Sequence, residues 1–418
     1  MSETRLAPQD WMRTPATERV LAALKAEGAA PRFVGGCVRD ALAGRPVRDI
    51  DIATPLPPDE VIRRLEAAGI KAVPTGLAHG TVTAVADHRP FEITTLRVDV
   101  ETYGRHAKVA FTDDWVADAA RRDFTINALS CAPDGTLYDP FGGIADLRAG
   151  RIRFVGDARA RIREDYLRLL RYFRFHAHYG REAPEPETLA IIAEEASHLG
   201  RLSGERVREE LLKLLRAPDP VPVVEVMIAR GVLQQVLPVA GGTPDAVTIL
   251  RAVLRAETPG EPPDPLVRLA ALVEPDRDKA AAAAERLRLS NKDRDALVAM
   301  AEPETLVNPH VPPRARWRAL RKLGVTLYRE VLRLDWARRH AADDAVPSAA
   351  YHRAVDEAEE LVTKTFPLRG ADILELGVPA GPRLGDLLDQ AETWWAETGF
   401  RATRAECLAH LKDLIAAS

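Results

Sequence analysis

The stretch that decides the fold is Phe33-Val34-Gly35-Gly36-Cys37-Val38-Arg39-Asp40, followed by Asp49-Ile50-Asp51-Ile52. A glycine pair after an apolar strand allows backbone N–H groups to approach a phosphate, because no Cβ atom is in the way. Alternate side chains of a strand share one face, so the two aspartates are expected to present their carboxylates together while the two isoleucines are buried. Mg²⁺ prefers such hard oxygen ligands and completes its shell with water and phosphate oxygens. The stretch therefore predicts a site for a triphosphate and a divalent cation.

Each part of this stretch also has an ordinary structural interpretation. An Asp-Ile-Asp triplet is commonly a solvated strand face, and a Gly-Gly pair is commonly a tight turn. Arg39 adds a fixed positive charge beside the turn. It is the combination of the glycine pair and the two aspartates, and neither of them alone, that indicates a site for a triphosphate and a cation. Cys37 lies in the turn, but nothing nearby in the sequence would activate it as a nucleophile, so we expect it to be a small apolar filler.

These residues resemble the head of the DNA polymerase β-like nucleotidyltransferase superfamily. Farther along, Arg121-Arg122-Asp123-Phe124-Thr125-Ile126-Asn127-Ala128-Leu129 resembles the second motif of the class II tRNA nucleotidyltransferases. The stretch Glu164-Asp165-Tyr166-Leu167-Arg168-Leu169-Leu170-Arg171-Tyr172-Phe173-Arg174-Phe175 resembles their base-selecting motif, and 202–211 and 370–385 resemble two further motifs. The resemblance spans nearly the whole chain and is strongest from 33 to 212.

The resemblance implies addition of C, C and A to the 3′ end of tRNA from CTP and ATP, without a nucleic-acid template and with release of pyrophosphate. The catalytic acids would be Asp49 and Asp51, with Glu92 as a third carboxylate on a neighbouring strand. An exposed strand glutamate is the alternative for Glu92. Mg²⁺, held by Asp49 and Asp51, is the implied cofactor, and tRNA, CTP and ATP are the implied partners.

The resemblance also implies a set of nucleotide-binding residues: Gly35, Gly36, Arg39, Arg121, Arg122, Asp123, Asn127, Asp165, Arg168, Arg171 and Arg174. Guanidinium groups suit phosphates because they bind them bidentately. Asp123 and Asn127 are candidates for contacts to ribose hydroxyls. For Arg121 and Arg122 the alternative is surface charge at a helix end.

Asp165 and Arg168 lie three positions apart on a helix predicted over 161–177, where an ion pair between them would contribute about 0.2–0.5 kcal/mol. The hydrogen-bonding groups of the nucleobases suggest a more specific role for these two residues. Cytosine and adenine both present an amine beside an unprotonated ring nitrogen, whereas uracil and guanine present a carbonyl beside a ring N–H. A carboxylate that accepts from the amine and a guanidinium that donates to the ring nitrogen would admit C and A only, because unpaired buried polar groups reject the other bases. The resemblance assigns this role to the same pair.

The net charge of −4 conceals a strongly basic segment. Ten arginines and three acidic residues lie between 148 and 181, a net charge of +7, so the rest of the chain carries −11. Such clustering is typical of a site for a polyanion, although a basic run is also typical of a solvated helix face. No segment approaches the ~20 apolar residues of a membrane span. The start of the chain lacks the blocks of a secretory signal, so a cytoplasmic location is expected.

A chain of 418 residues predicts roughly two to four domains. Strand patterns occur up to about residue 150, and helical periodicity dominates afterwards. We therefore predict an α+β protein with a mixed α/β nucleotidyltransferase head over 1–150. An all-α neck over 151–215 would bind the base and RNA, and a helical body over 216–305 and a helical tail over 306–418 would follow, the tail contacting tRNA.

Two other functions stay open on this evidence. A bacterial poly(A) polymerase shares the head and the glycine turn, but the C-terminal part here lacks a long basic extension. A noncatalytic tRNA-binding protein could use the same scaffold, but the acids at 49, 51 and 92 argue against it. The segment 97–118 resembles the flexible loop of full CCA-adding members, which favours all three additions.

Overall fold

The computed structural model describes residues 5–25, 30–103, 106–239, 244–302, 311–343 and 345–417. Two units separate within the chain, Met1–Val236 and Leu237–Ser418. The finer division into head, neck, body and tail stays a prediction.

The strands all lie in the first part of the first unit. They are β1 (Arg32–Val34), β2 (Asp51–Thr54), β3 (Lys71–Gly76), β4 (Thr81–Ala86), β5 (Arg89–Thr95), β6 (Arg97–Tyr103), β7 (His106–Phe111), β8 (Ser130–Cys131) and β9 (Leu137–Tyr138). The helices of this unit are α1 (Pro15–Leu24), α2 (Gly36–Leu42), α3 (Pro58–Ala67), α4 (Trp115–Ala120), α5 (Gly143–Ala149), α6 (Ala158–Glu164), α7 (Leu167–Tyr179), α8 (Pro186–Glu195), α9 (Gly204–Leu215), α10 (Val221–Ala229) and α11 (Val232–Val236).

One mixed sheet organises the head, with strand order β3-β4-β5-β2-β1-β8-β9 in the described residues. Within it, β2 and β5 run parallel, and β1 pairs antiparallel with both β2 and β8. Phe33 on β1 lies opposite Ile52 and Cys131, and all three side chains are fully buried or nearly so in one core cluster. Alternation along the strands then places Val34 and Asp51 on the opposite face, which is the face that carries the site.

The fold-class prediction is confirmed, because the described chain after β9 contains helices and no further named strand. The apolar residues of the later segments recur at helical spacing, so each helix buries one stripe. On α9, for example, Val207, Leu211 and Leu214 are buried while Arg208 and Glu209 face outward or lie half-buried.

The prediction of one helix over 161–177 is wrong, because the chain leaves the helical conformation at Asp165. This residue is extended, with φ −154° and ψ 107°, and it separates α6 from α7. Its carboxylate accepts a hydrogen bond from Leu167 N at 3.2 Å, and its carbonyl accepts one from Arg168 N at 3.0 Å. An aspartate that bonds the next backbone N–H groups competes with the helix and starts a new one.

The segment 97–118, expected to be a loop, contains a hairpin. Strands β6 and β7 pair antiparallel within it, and α4 follows. Asp114 caps α4 by accepting hydrogen bonds from the backbone N–H groups of Val116 and Ala117. The sheet of this hairpin is separate from the main sheet.

The second unit is helical in its described residues. Its helices are α12 (Pro244–Ala256), α13 (Pro265–Leu272), α14 (Arg277–Arg286), α15 (Asn291–Ala301), α16 (Pro313–Arg339), α17 (Ala349–Val362), α18 (Gly370–Glu375), α19 (Pro382–Glu397) and α20 (Arg404–Ala417). Trp317 and Trp395 meet edge to face, with ring centroids 5.5 Å apart, in one of its apolar clusters. Throughout the described ranges, no helix combines the length and the apolar character needed to cross a bilayer.

Candidate active site

Acidic side chains gather where β2 and β5 run side by side. Asp51 begins β2 and pairs in register with Glu92 on β5, so the two residues are neighbours on one face. Asp49 precedes the strand and is exposed. The strand therefore starts two residues later than the sequence suggested, although Ile50 and Ile52 are both buried as expected. Glu92 pairs with Asp51 across the two strands and is exposed. Its role as a third carboxylate therefore stays a prediction, beside the alternative of an exposed strand glutamate.

The electrostatics of Asp51 show that the acids interact. Burial raises the pKa of Asp51 to about 6, and the negative charges of Glu92 and Asp49 add to the increase, while Arg122 and Arg39 act in the opposite direction. A carboxylate whose charge is disfavoured by burial and by other carboxylates is stabilised by a bound cation.

This all-oxygen set fits a hard divalent cation such as Mg²⁺, which uses one or two carboxylates and keeps several positions for water and phosphate. In the part of the chain that the structure describes, no group of three or more His, Cys, Asp or Glu side chains forms a complete metal site.

The glycine turn lies between β1 and α2. Gly35 has φ 66°, a conformation that favours glycine, and its N–H donates to Leu129 O at 3.1 Å. A Cβ atom at Gly35 would lie 2.9 Å from Arg122 Nη1. The missing side chain thus allows the Arg122 guanidinium to lie directly over the turn.

A chain of hydrogen bonds connects the turn to α7. Arg39 Nη1 donates to Asn127 Oδ1 at 2.6 Å, and Asn127 Nδ2 donates to Asp123 Oδ1 at 2.9 Å. Arg171 then donates to Asp123 Oδ2, from Nε at 2.7 Å. Burial of Asp123 acts to raise its pKa, but Arg171 and the hydrogen bonds outweigh this and lower it. Asp123 and Asn127, expected to contact ribose, thus bond to each other and to two arginines.

The predicted base-selecting residues are not paired with each other. Asp165 Oδ2 accepts from Arg206 Nη2 at 2.6 Å. Arg168 Nη1 donates to Glu164 Oε2 at 2.5 Å and to Arg161 O at 2.9 Å. The simple ion-pair interpretation is therefore wrong, and each of the two side chains is oriented by a separate partner.

One cavity of about 400 Å³ collects most of the predicted residues. It is lined by Gly35, Gly36, Arg39, Asp51, Arg122, Asp123, Asn127, Asp165, Arg168 and Arg171. Four predicted residues do not line it, namely Asp49, Glu92, Arg121 and Arg174. Arg121 binds Asp118 at 2.8 Å and Arg174 binds Glu210 at 2.5 Å, so both serve ion pairs.

Sequence reasoning missed Arg206 and Phe175 as cavity residues. Arg206 lies in the 202–211 motif, which was the available signal, but a motif does not show which of its residues faces the site. Phe175 is buried and also lines the cavity, with the Arg174 guanidinium 4.1 Å from its ring centroid. Tyr172 is a core residue, since it is 1% exposed and stacks on Phe154.

Comparison with known proteins places the chain in a family. A family model described as the poly A polymerase head domain matches residues 31–153, and one described as a probable RNA and SrmB-binding site of polymerase A matches 183–241. CCA tRNA nucleotidyltransferase 1, mitochondrial, of Mus musculus is 35% identical over 401 residues, covering 91% of this chain and 86% of that protein. The chain belongs to the CCA-adding tRNA nucleotidyltransferases. This confirms the resemblance drawn from the motifs, and the family is generally dependent on divalent metal ions.

Other members of the CCA-adding family agree. The CCA-adding enzyme of Leuconostoc citreum is 39% identical over 210 residues, half of each chain. The crystal structure of the Bacillus stearothermophilus CCA-adding enzyme in complex with CTP superposes with a TM-score of 0.75 at 28% identity, covering 97% of this chain and 98% of that chain. This chain therefore shares the fold of that enzyme over nearly its whole length.

We predict that Gly35→Ala weakens CTP binding about tenfold or more, because the new Cβ displaces Arg122 from the turn. The matched control is Gly44→Ala. Gly44 has the same φ of 66°, but no atom lies within 4 Å of the place that a Cβ atom would take there. Both variants place an alanine at a positive φ, which a Cβ atom disfavours. Only at Gly35 would the new Cβ atom meet the Arg122 guanidinium, so only the first should change the dissociation constant for CTP in calorimetry, measured at a temperature where both variants are folded. Equal effects of the two substitutions would contradict the assignment.

Proposed function

We propose that this protein adds C, C and A to the 3′ end of tRNA from CTP and ATP, with release of pyrophosphate. The observation that carries the proposal is the single cavity in which the glycine turn and Asp51 lie together with Asp165 and Arg168. A triphosphate at the turn would have its α-phosphate near the acids and its base near α7. Membership in the CCA-adding family supports the same activity.

The transfer step requires the RNA 3′ hydroxyl to attack the α-phosphorus in line with the departing pyrophosphate. Arg122 over the glycine turn and Arg39 beside it would bind the phosphates bidentately and neutralise their charge. Asp49 and Asp51 would hold Mg²⁺, with Glu92 as the neighbouring carboxylate. When bound, the ion would lower the pKa of the attacking hydroxyl and stabilise the negative charge of the leaving group.

Base selection would depend on how Asp165 and Arg168 are held. The Arg206 guanidinium keeps the Asp165 carboxylate in one orientation, and Glu164 does the same for Arg168. The carboxylate would accept from the exocyclic amine of C or A, and the guanidinium would donate to the adjacent ring nitrogen. Uracil or guanine would place acceptor against acceptor and donor against donor, which costs an unpaired buried group on each side.

The proposed ion is Mg²⁺ and the proposed location is the cytoplasm. Mg²⁺ is the divalent ion that best matches few carboxylates and many phosphate oxygens. Animal relatives are named as mitochondrial proteins, so cell fractionation is the measurement that decides the compartment.

The activity is tested by incubating purified protein with tRNA that lacks its 3′ CCA, with Mg²⁺, and with each nucleotide alone and in combination. We expect products longer by two nucleotides with CTP and by three with CTP plus ATP. Long ladders with ATP alone would identify a poly(A) polymerase instead. Binding of tRNA without extension would identify a noncatalytic binding protein.

Asp51→Asn should lower the rate of CMP addition by at least about a thousandfold, because loss of a cation ligand removes several kcal/mol of transition-state stabilisation. The dissociation constant for tRNA should change by less than about twofold. Asp59→Asn is the control, since Asp59 is an exposed acid in the first turn of α3. An Asp51→Asn enzyme with near-normal rates would remove Asp51 from the catalytic set.

Asp165→Asn should lower the preference for CTP over UTP, measured as the ratio of kcat/KM values, by about a hundredfold or more. The amide offers an N–H donor to the uracil carbonyl where the carboxylate offers only an acceptor. Glu209→Gln on the neighbouring helix α9 is a suitable control, because its side chain is 62% exposed. An unchanged ratio in Asp165→Asn would exclude base selection by this carboxylate.

A further inference from the structure

Most arginines of the basic segment 148–181 are neutralised within the protein. At least eight of the ten bind a carboxylate in the described residues, namely Arg151, Arg153, Arg159, Arg161, Arg163, Arg168, Arg171 and Arg174. Much of the positive charge of this segment is therefore compensated inside the protein, so its net charge alone does not identify a polyanion site. The side chains that remain available to bind a polyanion are the cations near this segment that have no acidic partner.

Arg181 is one of them. Its Nη2 donates to Leu147 O and Arg148 O, both at 3.2 Å, at the C-terminal end of α5. These carbonyls orient the guanidinium but do not neutralise it. In the described part of the chain, no carboxylate lies within ion-pair distance of Arg181, and the side-chain hydrogen bonds of this residue all come from Nη2.

Arg45 is also held by a backbone carbonyl. Its Nη2 donates to His178 O, and its guanidinium lies 4.3 Å from the ring centroid of Tyr179. Among the described residues it has no carboxylate partner. Two guanidinium groups with full charge are thus held by carbonyls and an aromatic ring.

Both residues line one cavity of about 360 Å³. We name it the arginine cavity, after Arg45 and Arg181. Its lining within the described residues includes no acidic side chain, and it has no residue in common with the nucleotide cavity. The nearby acids are engaged elsewhere, since Asp40 accepts from Tyr179 Oη at 2.6 Å and Glu182 lies 4.0 Å from Arg151.

The position of Arg181 is set by close packing against α5. Gly150 ends α5 with φ 73°, and its carbonyl accepts from Arg181 N at 2.9 Å. A Cβ atom at Gly150 would lie 2.6 Å from Arg181 Cβ. The glycine therefore allows the chain after α7 to approach α5 closely enough to place Arg181 in the arginine cavity.

We propose that the arginine cavity binds a backbone phosphate of the tRNA, at a place separate from the nucleotide cavity. The inference rests on the proposed function, because it takes tRNA as the polyanion. Guanidinium groups without acidic partners are matched by phosphate, and phosphate contacts orient an RNA without reading its sequence. Arg45 follows α2 and Arg181 follows α7, so the two positive charges reach the arginine cavity from separate elements.

The test measures the dissociation constant of tRNA lacking CCA for the double variant Arg45→Gln/Arg181→Gln between about 50 and 200 mM NaCl. Each lost phosphate contact should reduce the slope of log K against log salt by about 0.7–0.9, so the double variant should lose about 1.4–1.8. Affinity at low salt should fall about tenfold or more. Arg181→Lys keeps the charge and should retain most of the slope.

The matched control is Arg19→Gln/Arg63→Gln, which also removes two positive charges. These side chains are 49% and 66% exposed and bind Asp87 and Glu60. If the control and the test variant show the same slope, the inference is overturned. If the double variant fails to fold, Arg181→Gln alone, at an exposed position after α7, should still reduce the slope by about 0.7–0.9.

A second experiment measures the binding of inorganic pyrophosphate to the wild type and to the double variant by calorimetry. Loss of pyrophosphate binding in the double variant, with an unchanged tRNA slope, would assign the cavity to a small anion and overturn the inference. The extension assay is run on the wild type in parallel. Normal extension with an unaffected slope refutes only the arginine cavity, whereas an affected slope without extension refutes only the proposed activity.

Discussion

The buried carboxylate of Asp123 is the contact on which the site depends. Its side chain is only 7% exposed, yet it is bonded on one side to Asn127, which holds Arg39, and on the other to Arg171 of α7. It therefore ties the glycine turn to α7, which carries Arg168 and directly follows Asp165. Removing one partner from such a buried pair costs about 3–5 kcal/mol, because a charge is left without compensation. In the proposed function, this network would set the distance between the phosphate site and the base site before a nucleotide binds.

The second constraint is repulsion among acids. The parallel pairing of β2 and β5 places Asp51 and Glu92 side by side, and burial with their mutual charge makes the ionised state of Asp51 costly. Opposing this, the positive charges of Arg122 and Arg39 favour the ionised state of the same carboxylate. In the proposed function, a triphosphate with its cation would satisfy both sets of charges, because the arginines would bind its oxygens and the acids would hold the cation.

The sequence predicted the fold class, because strand alternation and helical periodicity are local signals. Gly35, Asp51 and Arg122 lie in short motifs with a clear chemical meaning, and the structure brings these three predicted residues together around one cavity. The break at Asp165 could not be predicted from periodicity, because the apolar stripe continues across it and only a side-chain hydrogen bond to Leu167 N ends the helix. The partners of the arginines were also beyond the sequence, since Glu210 and Glu195 come from distant helices.

The orientation of Asp165 has a consequence for fidelity. One of its oxygens accepts from a backbone N–H of α7 and the other from Arg206, so rotation about the side-chain bonds would break both contacts together. A carboxylate has about four lone-pair directions, and two of them are already in use. The backbone conformation at the break between α6 and α7 fixes the directions of the remaining lone pairs. In the proposed base selection, a mispaired base would meet an acceptor that these two hydrogen bonds hold in place, and its rejection would come from the rigidity of the carboxylate as much as from its charge.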